Sequence, residues 1–470
     1  MTAPGSGPAG VAECLWLRQA MATGGSACPV LSGSIRADVA IIGGGYVGLW
    51  TAIELKRREP GLDVAIVEQG ICGSGASGRN GGYVLSWWPK ASSLSLKWGS
   101  DVARDLIRMS EQAILDLAEF CETEGVPAEM VRSGWVWGAE SELYSGAWVR
   151  AVDECSRLGV GEFRLLDKNA VAEKTGTRQF VSGVLDCTAA LLHPAHLVRG
   201  MREVALRRGV KIFENSRVIR LSRTSPARVD TRVGTLTAGT VVLATNAWAA
   251  AVPELSRSIV VVSSDMIASH PVPDQLEGMG WRNGPGVNGS QQMVDYVRTT
   301  LDGRLLAGKG GLASAYGGRV TDRLLRSPRR AAIVQKNLGR LYPALVDVEL
   351  DCHWSGPVDR SSDGLPLLGR LPRCENILFG VGWSGNGLGP SLIGGKVLAS
   401  LALRQRDEWS SLPIVGAPRR DLPMEPFRFL GGQLVRRAVG MKDRAESQNR
   451  SPGRVVKALA SLAPRGIEDQ

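Results

Sequence analysis

Short, wholly apolar runs and one long amphipathic stretch organise this chain. Val39-Ala-Ile-Ile42 and Val64-Ala-Ile-Val67 are uninterrupted apolar segments, each preceded by an aspartate, Asp38 and Asp63. Runs this short, bounded by polar and turn residues, predict strands buried on both faces, as in a parallel sheet. The residues between them, up to Glu59, have helical spacing, so the three pieces predict a β-α-β unit. Asp101 to Cys121 places Val102, Leu106, Met109, Ala113, Ile114, Leu117 and Phe120 at helical intervals, which predicts an amphipathic helix. Trp135-Val-Trp137 reads as a strand, and Asp167 as the cap of a short helix.

The pattern then returns to buried strands. His196 to Arg208 predicts a helix, Val210 to Phe213 and Arg217 to Leu221 predict strands, and Val241 to Thr245 predicts a buried strand ending in small polar residues. After Pro253 the chain departs again through strands at Val260 to Val262 and Arg304 to Ala307 and a helix at Pro328 to Leu341. It comes back over Ser355 to Leu403. A chain that leaves one unit and re-enters it predicts a discontinuous domain. The expected division is an N-terminal arm (1–34) laid over the surface and a first domain built from 35–95, 186–255 and 355–415. A helical segment and second domain take 96–185 and 256–354, and a basic helical extension takes 416–470.

The turn after Ile42 is Gly43-Gly-Gly45-Tyr-Val-Gly48, a G-x-G-x-x-G sequence leading from the first strand into the helix. In that context the pattern predicts dinucleotide binding. Gly43 makes the tight turn, Gly45 lets a pyrophosphate approach the backbone, and Gly48 lets the helix pack on the strand. Glu68 ends the second strand, twenty-five positions after Gly43. It is expected to accept hydrogen bonds from adenosine ribose hydroxyls, and its charge disfavours a 2′-phosphate, hence NADP. The same six-residue pattern begins at Gly5, Gly73, Gly284 and Gly380, but none of these has the full strand–helix–strand–acid context.

Composition adds mainly exclusions. With 44% hydrophobic and 22% charged residues the chain reads as an ordinary globular protein. No apolar run approaches the ~20 residues that span a bilayer, and the first thirty residues lack a signal-peptide pattern. The eight cysteines are scattered without a C-x-x-C pair, which predicts a reduced, cytoplasmic protein with buried thiols. The four histidines form no ligand set, so no metal is expected. The net charge of +10 is not concentrated in a nucleic-acid-binding motif; about half of it lies beyond Gly416, where eleven lysines and arginines face six acids. Gln433 to Ser447 has helical spacing with Leu434, Val435, Ala438 and Val439 on one side. A basic helix packed on the main body, or a weak contact with acidic membrane lipid, are the two readings of this extension.

The string Gly75-Ala-Ser-Gly-Arg-Asn-Gly-Gly82 follows the β-α-β unit. Asp363-Gly-Leu-Pro-Leu-Leu-Gly369 and Asn376-Ile-Leu-Phe-Gly-Val-Gly-Trp-Ser-Gly-Asn-Gly-Leu-Gly389 come late in the chain. Together with Leu192-His-Pro194 and Val241 to Thr245, these segments resemble the D-amino-acid-oxidase-like FAD oxidoreductases, most closely their γ-glutamylputrescine oxidoreductase branch. The resemblance spans Asp38 to Leu403. It implies an α/β fold in which a Rossmann-type, GR2-like FAD-binding domain is interleaved with an α+β substrate domain on an antiparallel sheet. It also implies FAD held by Gly43, Gly45, Tyr46, Val47, Gly48, Glu68 and Gln69, and by the loop Ser77, Gly78, Arg79, Asn80, Gly81 and Gly82. Val218 is expected near the adenine, with Thr245 and Asn246 at a strand end. Gly385, Asn386, Gly387, Leu388 and Gly389 open a helix whose positive end suits the flavin edge that gathers charge on reduction. Tethered members carry a cysteine seven positions before the motif aspartate. Gly356 stands there and Cys352 lies four positions earlier, so the FAD is expected to be noncovalent.

The resemblance implies oxidation of a C–N bond in a primary or secondary amine by hydride transfer to flavin N5, giving an imine that hydrolyses, with oxygen or an electron carrier taking the electrons. Candidate catalytic residues are Tyr296, Arg298, His193, Trp383 and Asn386. Arg298 is the expected clamp for a substrate carboxylate, as in γ-glutamylputrescine or an N-alkyl amino acid. Trp87 and Trp88 are candidates for an apolar wall or for core packing, and Lys309 for an oxygen-activating cation. Two alternatives remain: a flavin-dependent hydroxylase or NAD(P)H-using flavoenzyme, and a catalytically silent FAD-binding protein.

Overall fold

The computed structural model describes residues 13–25 and 27–464. A first sheet has the central strand order Leu367–Leu371, Cys374–Val381, Gly234–Leu243, Gly33–Ile42, Val64–Val67, Lys211–Phe213. Every neighbouring pair from Cys374–Val381 to Lys211–Phe213 is parallel, and Leu367–Leu371 pairs antiparallel at the edge. Register pairs Ile42 with both Leu243 and Val67. The turn at Gly43, the carboxylate of Glu68 and the segment Ala244 to Asn246 therefore leave the sheet side by side. That is the carboxyl edge where parallel α/β sheets bind ligands.

The helix Leu388–Ala402 is apolar nearly all round, as a helix buried between other elements must be. It lies on Tyr46–Arg58 so closely that a Cβ at Gly395 would sit 2.8 Å from the Trp50 backbone carbon.

The second sheet runs Leu350–Arg360, Val260–Ser269, Leu305–Ser314, Asp295–Thr299, Gly286–Gly289, Trp135–Ala139, Ser182–Asp186, Phe163–Leu166. All its pairs are antiparallel except Gly286–Gly289 with Trp135–Ala139. The fold is thus mixed α/β. The strand Leu350–Arg360 runs through position 355, so the sequence boundary expected there falls inside the second sheet. Trp87 and Trp88 are core residues: Trp88 packs against Trp135, Trp137 and Phe163, and its indole N–H donates to Asp186 at 2.8 Å.

Three segments differ from the sequence expectation. Within the expected surface arm, Leu15–Ala22 is a helix whose Leu15, Trp16, Leu17 and Ala20 are buried. They pack with Ala195 and with Met266, Leu306 and Trp354 of the second sheet; residues 1–12 and 26 lie outside the described residues. Arg217 to Leu221 forms a strand only over Arg220–Leu221. The extension forms a helix over Phe427–Glu446 that buries Ala438 and Val439 but leaves Leu434 56% exposed.

Candidate functional site

One elongated cavity of about 460 Å³ runs from the carboxyl edge of the first sheet to the face of the second. Ligand sites of this volume are common in enzymes. At its first end the wall is mostly backbone. Gly43 has φ +112, and a Cβ there would collide with the Ala244 carbonyl. A Cβ at Gly45 would lie 2.8 Å from Ser77 Oγ, and one at Gly48 would strike the Gly43 carbonyl. Only glycine leaves this cradle open. Glu68 accepts from Gly44 N–H at 2.8 Å and Gly70 N–H at 2.9 Å. Burial pushes its carboxyl up while those backbone donors pull it down. The same carboxylate that reaches the cavity therefore also ties the glycine turn to the next strand.

The loop over residues 73–82 is held by its own side chains. Ser77 Oγ accepts from Tyr46 N–H at 3.0 Å, and Asn80 donates to Ala76 and Ser77 carbonyls while accepting from Gly82 N–H. Arg79 donates through Nε to Ser74 O at 2.7 Å, and burial lowers its pKa. Gln69, Ser77, Arg79, Asn80 and Gly81 line the cavity, as do Tyr46, Val47, Val218, Thr245 and Asn246. Arg217, Leu221 and Trp248 stand beside them and were not singled out from the sequence.

At the other end side chains supply the polar groups. Gly385, Gly387 and Leu388 bring the N-terminus of the buried helix to the wall, next to Trp383. Asp359 braces that loop by accepting from Gly382 N–H at 2.6 Å, Trp383 N–H at 3.2 Å and Asn246 Nδ2 at 2.8 Å. Burial pushes the Asp359 carboxyl up to about 7. Asn246 and Ser384, joined to it, hold left-handed φ of 46 and 56, strain that non-glycine residues keep only where neighbours enforce it.

Across the cavity Tyr296 shares a hydrogen bond of 2.9 Å with Ser264 Oγ, and Gly308 opposite leaves room for its ring. Tyr83 meets that ring edge-on at 5.9 Å. Asn288, paired with Tyr296 in register, is 3% exposed, and its Oδ1 has no partner among the described residues. Arg360 completes this end, its Nη2 3.5 Å from where a Cβ of Gly310 would be. Tyr83, Ser264, Asn288, Asp359 and Arg360 escaped the sequence reading.

Several expected residues stand outside the cavity lining. Arg298 is buried with its guanidinium donating to the carbonyls of Gly81, Gly82, Leu192 and Thr299, 5.6 Å from the Trp16 ring centroid. Burial lowers its pKa to about 10, so it remains charged and serves as a fastening between layers, not as a substrate clamp. His193 caps the helix Pro194–Arg207, its Nδ1 accepting from His196 N–H, and burial pushes its pKa down to about 2. His193, His196 and Glu129 offer ligand atoms within 4.8 Å of one another. The two imidazoles stack at 3.7 Å and 13°, which sends their lone pairs side by side instead of to one point. Lys309 projects from the opposite face of its strand. It meets Asp295 at 3.0 Å and donates to Gln291 and Met293, so an oxygen-activating role at the cavity is ruled out by register. Asn386 turns to the Ser86 carbonyl. Gly48, Gly78, Gly82 and Gly389 are close-packing glycines behind the wall.

The cavity matches FAD in its parts: a glycine cradle that suits a diphosphate, a carboxylate beyond it, and a helix N-terminus at the far end. Comparison with known proteins agrees. The profile of the family described as FAD dependent oxidoreductase (DAO) matches residues 38–401. The γ-glutamylputrescine oxidoreductase of Escherichia coli (strain K12) is 29% identical over 407 residues, 85% of this chain and 92% of the relative. Glycine oxidase of Geobacillus kaustophilus (strain HTA426) is 27% identical over 392 residues, 80% of this chain and 96% of the relative. The crystal structure of glycine oxidase from Geobacillus kaustophilus superposes with a TM-score of 0.68 at 24% identity, covering 83% of this chain and 100% of that one.

Proposed function

The chain belongs to the DAO family of FAD dependent oxidoreductases, and from that premise we propose that it oxidises the C–N bond of a small amine that also carries a carboxylate. Bound FAD supplies the acceptor for the hydride that leaves the carbon next to nitrogen. The observation that carries the substrate reading is Asn288 Oδ1, without a partner among the described residues and buried beside the Tyr296 and Ser264 hydroxyls in the cavity that holds the glycine cradle. A buried acceptor without a donor is costly, and an amine N–H satisfies it.

Arg360 takes the clamp role expected of Arg298, since it lines the cavity and its planar fork fits two carboxylate oxygens. The site also favours the neutral amine that oxidation requires. Its surroundings are desolvating, and the nearby acid, Asp359, has its carboxyl turned to loop N–H groups. The product imine hydrolyses in water, and oxygen or an electron carrier takes the electrons onward.

FAD is held without a covalent bond: Gly356, not a cysteine, lines the cavity, and Cys352 packs away from it beside the N-terminal helix. Acid precipitation is expected to leave a white pellet and a yellow supernatant.

The test is anaerobic bleaching of the yellow protein with a panel of amines, with and without carboxylates. Carboxylate-bearing amines are expected to bleach it fastest, and Arg360→Lys to slow them selectively at low concentration, because lysine cannot make two parallel hydrogen bonds. Equal rates for carboxylate-free amines would remove the clamp and leave amine oxidation standing. No bleaching by any amine, with NADPH consumed instead, would favour a hydroxylase.

A further inference from the structure

The helix Phe427–Glu446 is apolar on two sides: Ala438 and Val439 pack inward, and a second apolar row faces out. Its inward side also makes polar bonds: Asp443 accepts from Gln292 N–H at 3.1 Å and Met293 N–H at 2.9 Å, Arg436 donates to Leu312 O, and Gln433 donates to Ser314 Oγ. Its outward positions recur at 427, 430, 434, 437, 441 and 444, one full-length stripe at helical spacing. They are Phe, Leu, Leu, Arg, Met and Arg. Phe427 is 72% exposed, and Leu430, Leu434 and Met441 are each more than half exposed. Amphipathic helices of folded proteins normally turn the other side outward. Arg437 and Arg444 take part in no ion pair or side-chain hydrogen bond among the described residues, and no acid stands on the stripe.

We propose that this stripe docks on an anionic lipid bilayer, with the helix lying in the interface and not crossing it. A surface that is apolar and cationic along one line meets two demands at once, and a bilayer with acidic headgroups answers both. No helix of the described residues is long and apolar enough to cross a membrane. The short helix Arg454–Ala460 that follows adds exposed Arg454 and exposed Val455. A second copy of the chain is a poor occupant: pairing stripe to stripe would bury Arg437 and Arg444 against a row holding no acid.

The experiment is co-sedimentation of the full-length holoenzyme with vesicles of phosphatidylglycerol mixed with phosphatidylcholine, and of phosphatidylcholine alone. The enzyme is expected to pellet with the anionic vesicles only and to be released by salt. Two variants test the stripe, Phe427→Ser with Leu430→Ser and Leu434→Ser, and Arg437→Gln with Arg444→Gln. Both change exposed residues outside the cavity, so flavin spectrum and anaerobic bleaching should match wild type while vesicle binding falls, on the order of tenfold or more for the arginine pair. The proposal is overturned if wild type stays in the supernatant, if neutral vesicles bind equally, or if both variants sediment like wild type. It is also overturned if light scattering shows a dimer that the serine variant abolishes, since the stripe would then belong to a second copy.

Discussion

At the Gly43 end of the cavity a glycine turn brings backbone to the wall, whereas at the Tyr296 end the polar groups belong to side chains. The first end draws mainly on residues close in sequence, Gly43 to Val47 and Glu68 to Gly81, arranged by one turn and one helix start, with Val218 and Thr245 beside them. The second is assembled from Ser264, Asn288, Tyr296, Asp359 and Arg360, brought together by antiparallel register across one sheet. A backbone site recognises what all its ligands share. A side-chain site can be altered one residue at a time without disturbing the cradle, so binding of FAD and choice of amine are separable.

The largest expected effect breaks the backbone end. Gly48→Val puts a branched side chain where even a Cβ strikes the Gly43 carbonyl, and the purified protein is expected to be colourless. Yellow Gly48→Val protein with normal flavin content would show that the cradle is not needed.

Glu68→Ala is milder. Loss of a buried, charge-assisted acceptor is expected to weaken FAD by about 1.5–3 kcal/mol, roughly ten- to a hundredfold. Activity per bound flavin should be unchanged, and fluorescence titration of apoprotein measures the affinity. Wild-type affinity would remove the ribose assignment.

Asn288→Ala works at the other end with the opposite signature. Flavin content and spectrum should stay normal while bleaching at low amine concentration slows by roughly five- to tenfold, the worth of about one hydrogen bond. A variant that lost FAD instead would erase the distinction between the two ends.

The smallest effect is that of Asp359 on stability against pH. Burial raises its folded pKa to about 7 from the ordinary aspartate value of 3.8, so the folded state holds this proton more tightly than the unfolded chain. Its contribution is full below about 4 and is lost as pH rises through about 7. Glu111 is also raised to about 7, by burial, so the useful quantity is the melting temperature of wild type minus that of Asp359→Asn. That difference is expected to fall by roughly 2 °C or more between mildly acid and mildly alkaline solution. A flat difference would mean that Asp359 is ionised throughout.

Legibility in the sequence followed the same divide. The β-α-β unit and the motif at Gly43 were readable because turn, helix start and acid are set by local sequence. Tyr296 and Arg298 lie two positions apart on one strand, and only Tyr296 lines the cavity. The strand runs past its rim, and where the rim falls depends on the N-terminal helix and the segment at Leu192. Lys309 failed by register, lying opposite Asp295 on the far face. Arg360 had a usable signal: Gly356 was already placed near the flavin, and Val358 and Arg360 follow it on the same strand face. Leu434, Val435, Ala438 and Val439 share one side by helical spacing alone, but the helix Phe427–Glu446 buries Ala438 and Val439 and leaves Leu434 exposed, a division that depends on where the body meets the helix.

Arg298 has a further consequence for how the molecule comes apart. Its guanidinium, carried by the second sheet, binds carbonyls from residues 81, 82 and 192, which belong to the wall and helix entry of the first layer. Neither layer can loosen alone without undoing bonds of the other, so the chain should melt as a single cooperative body despite its two sheets.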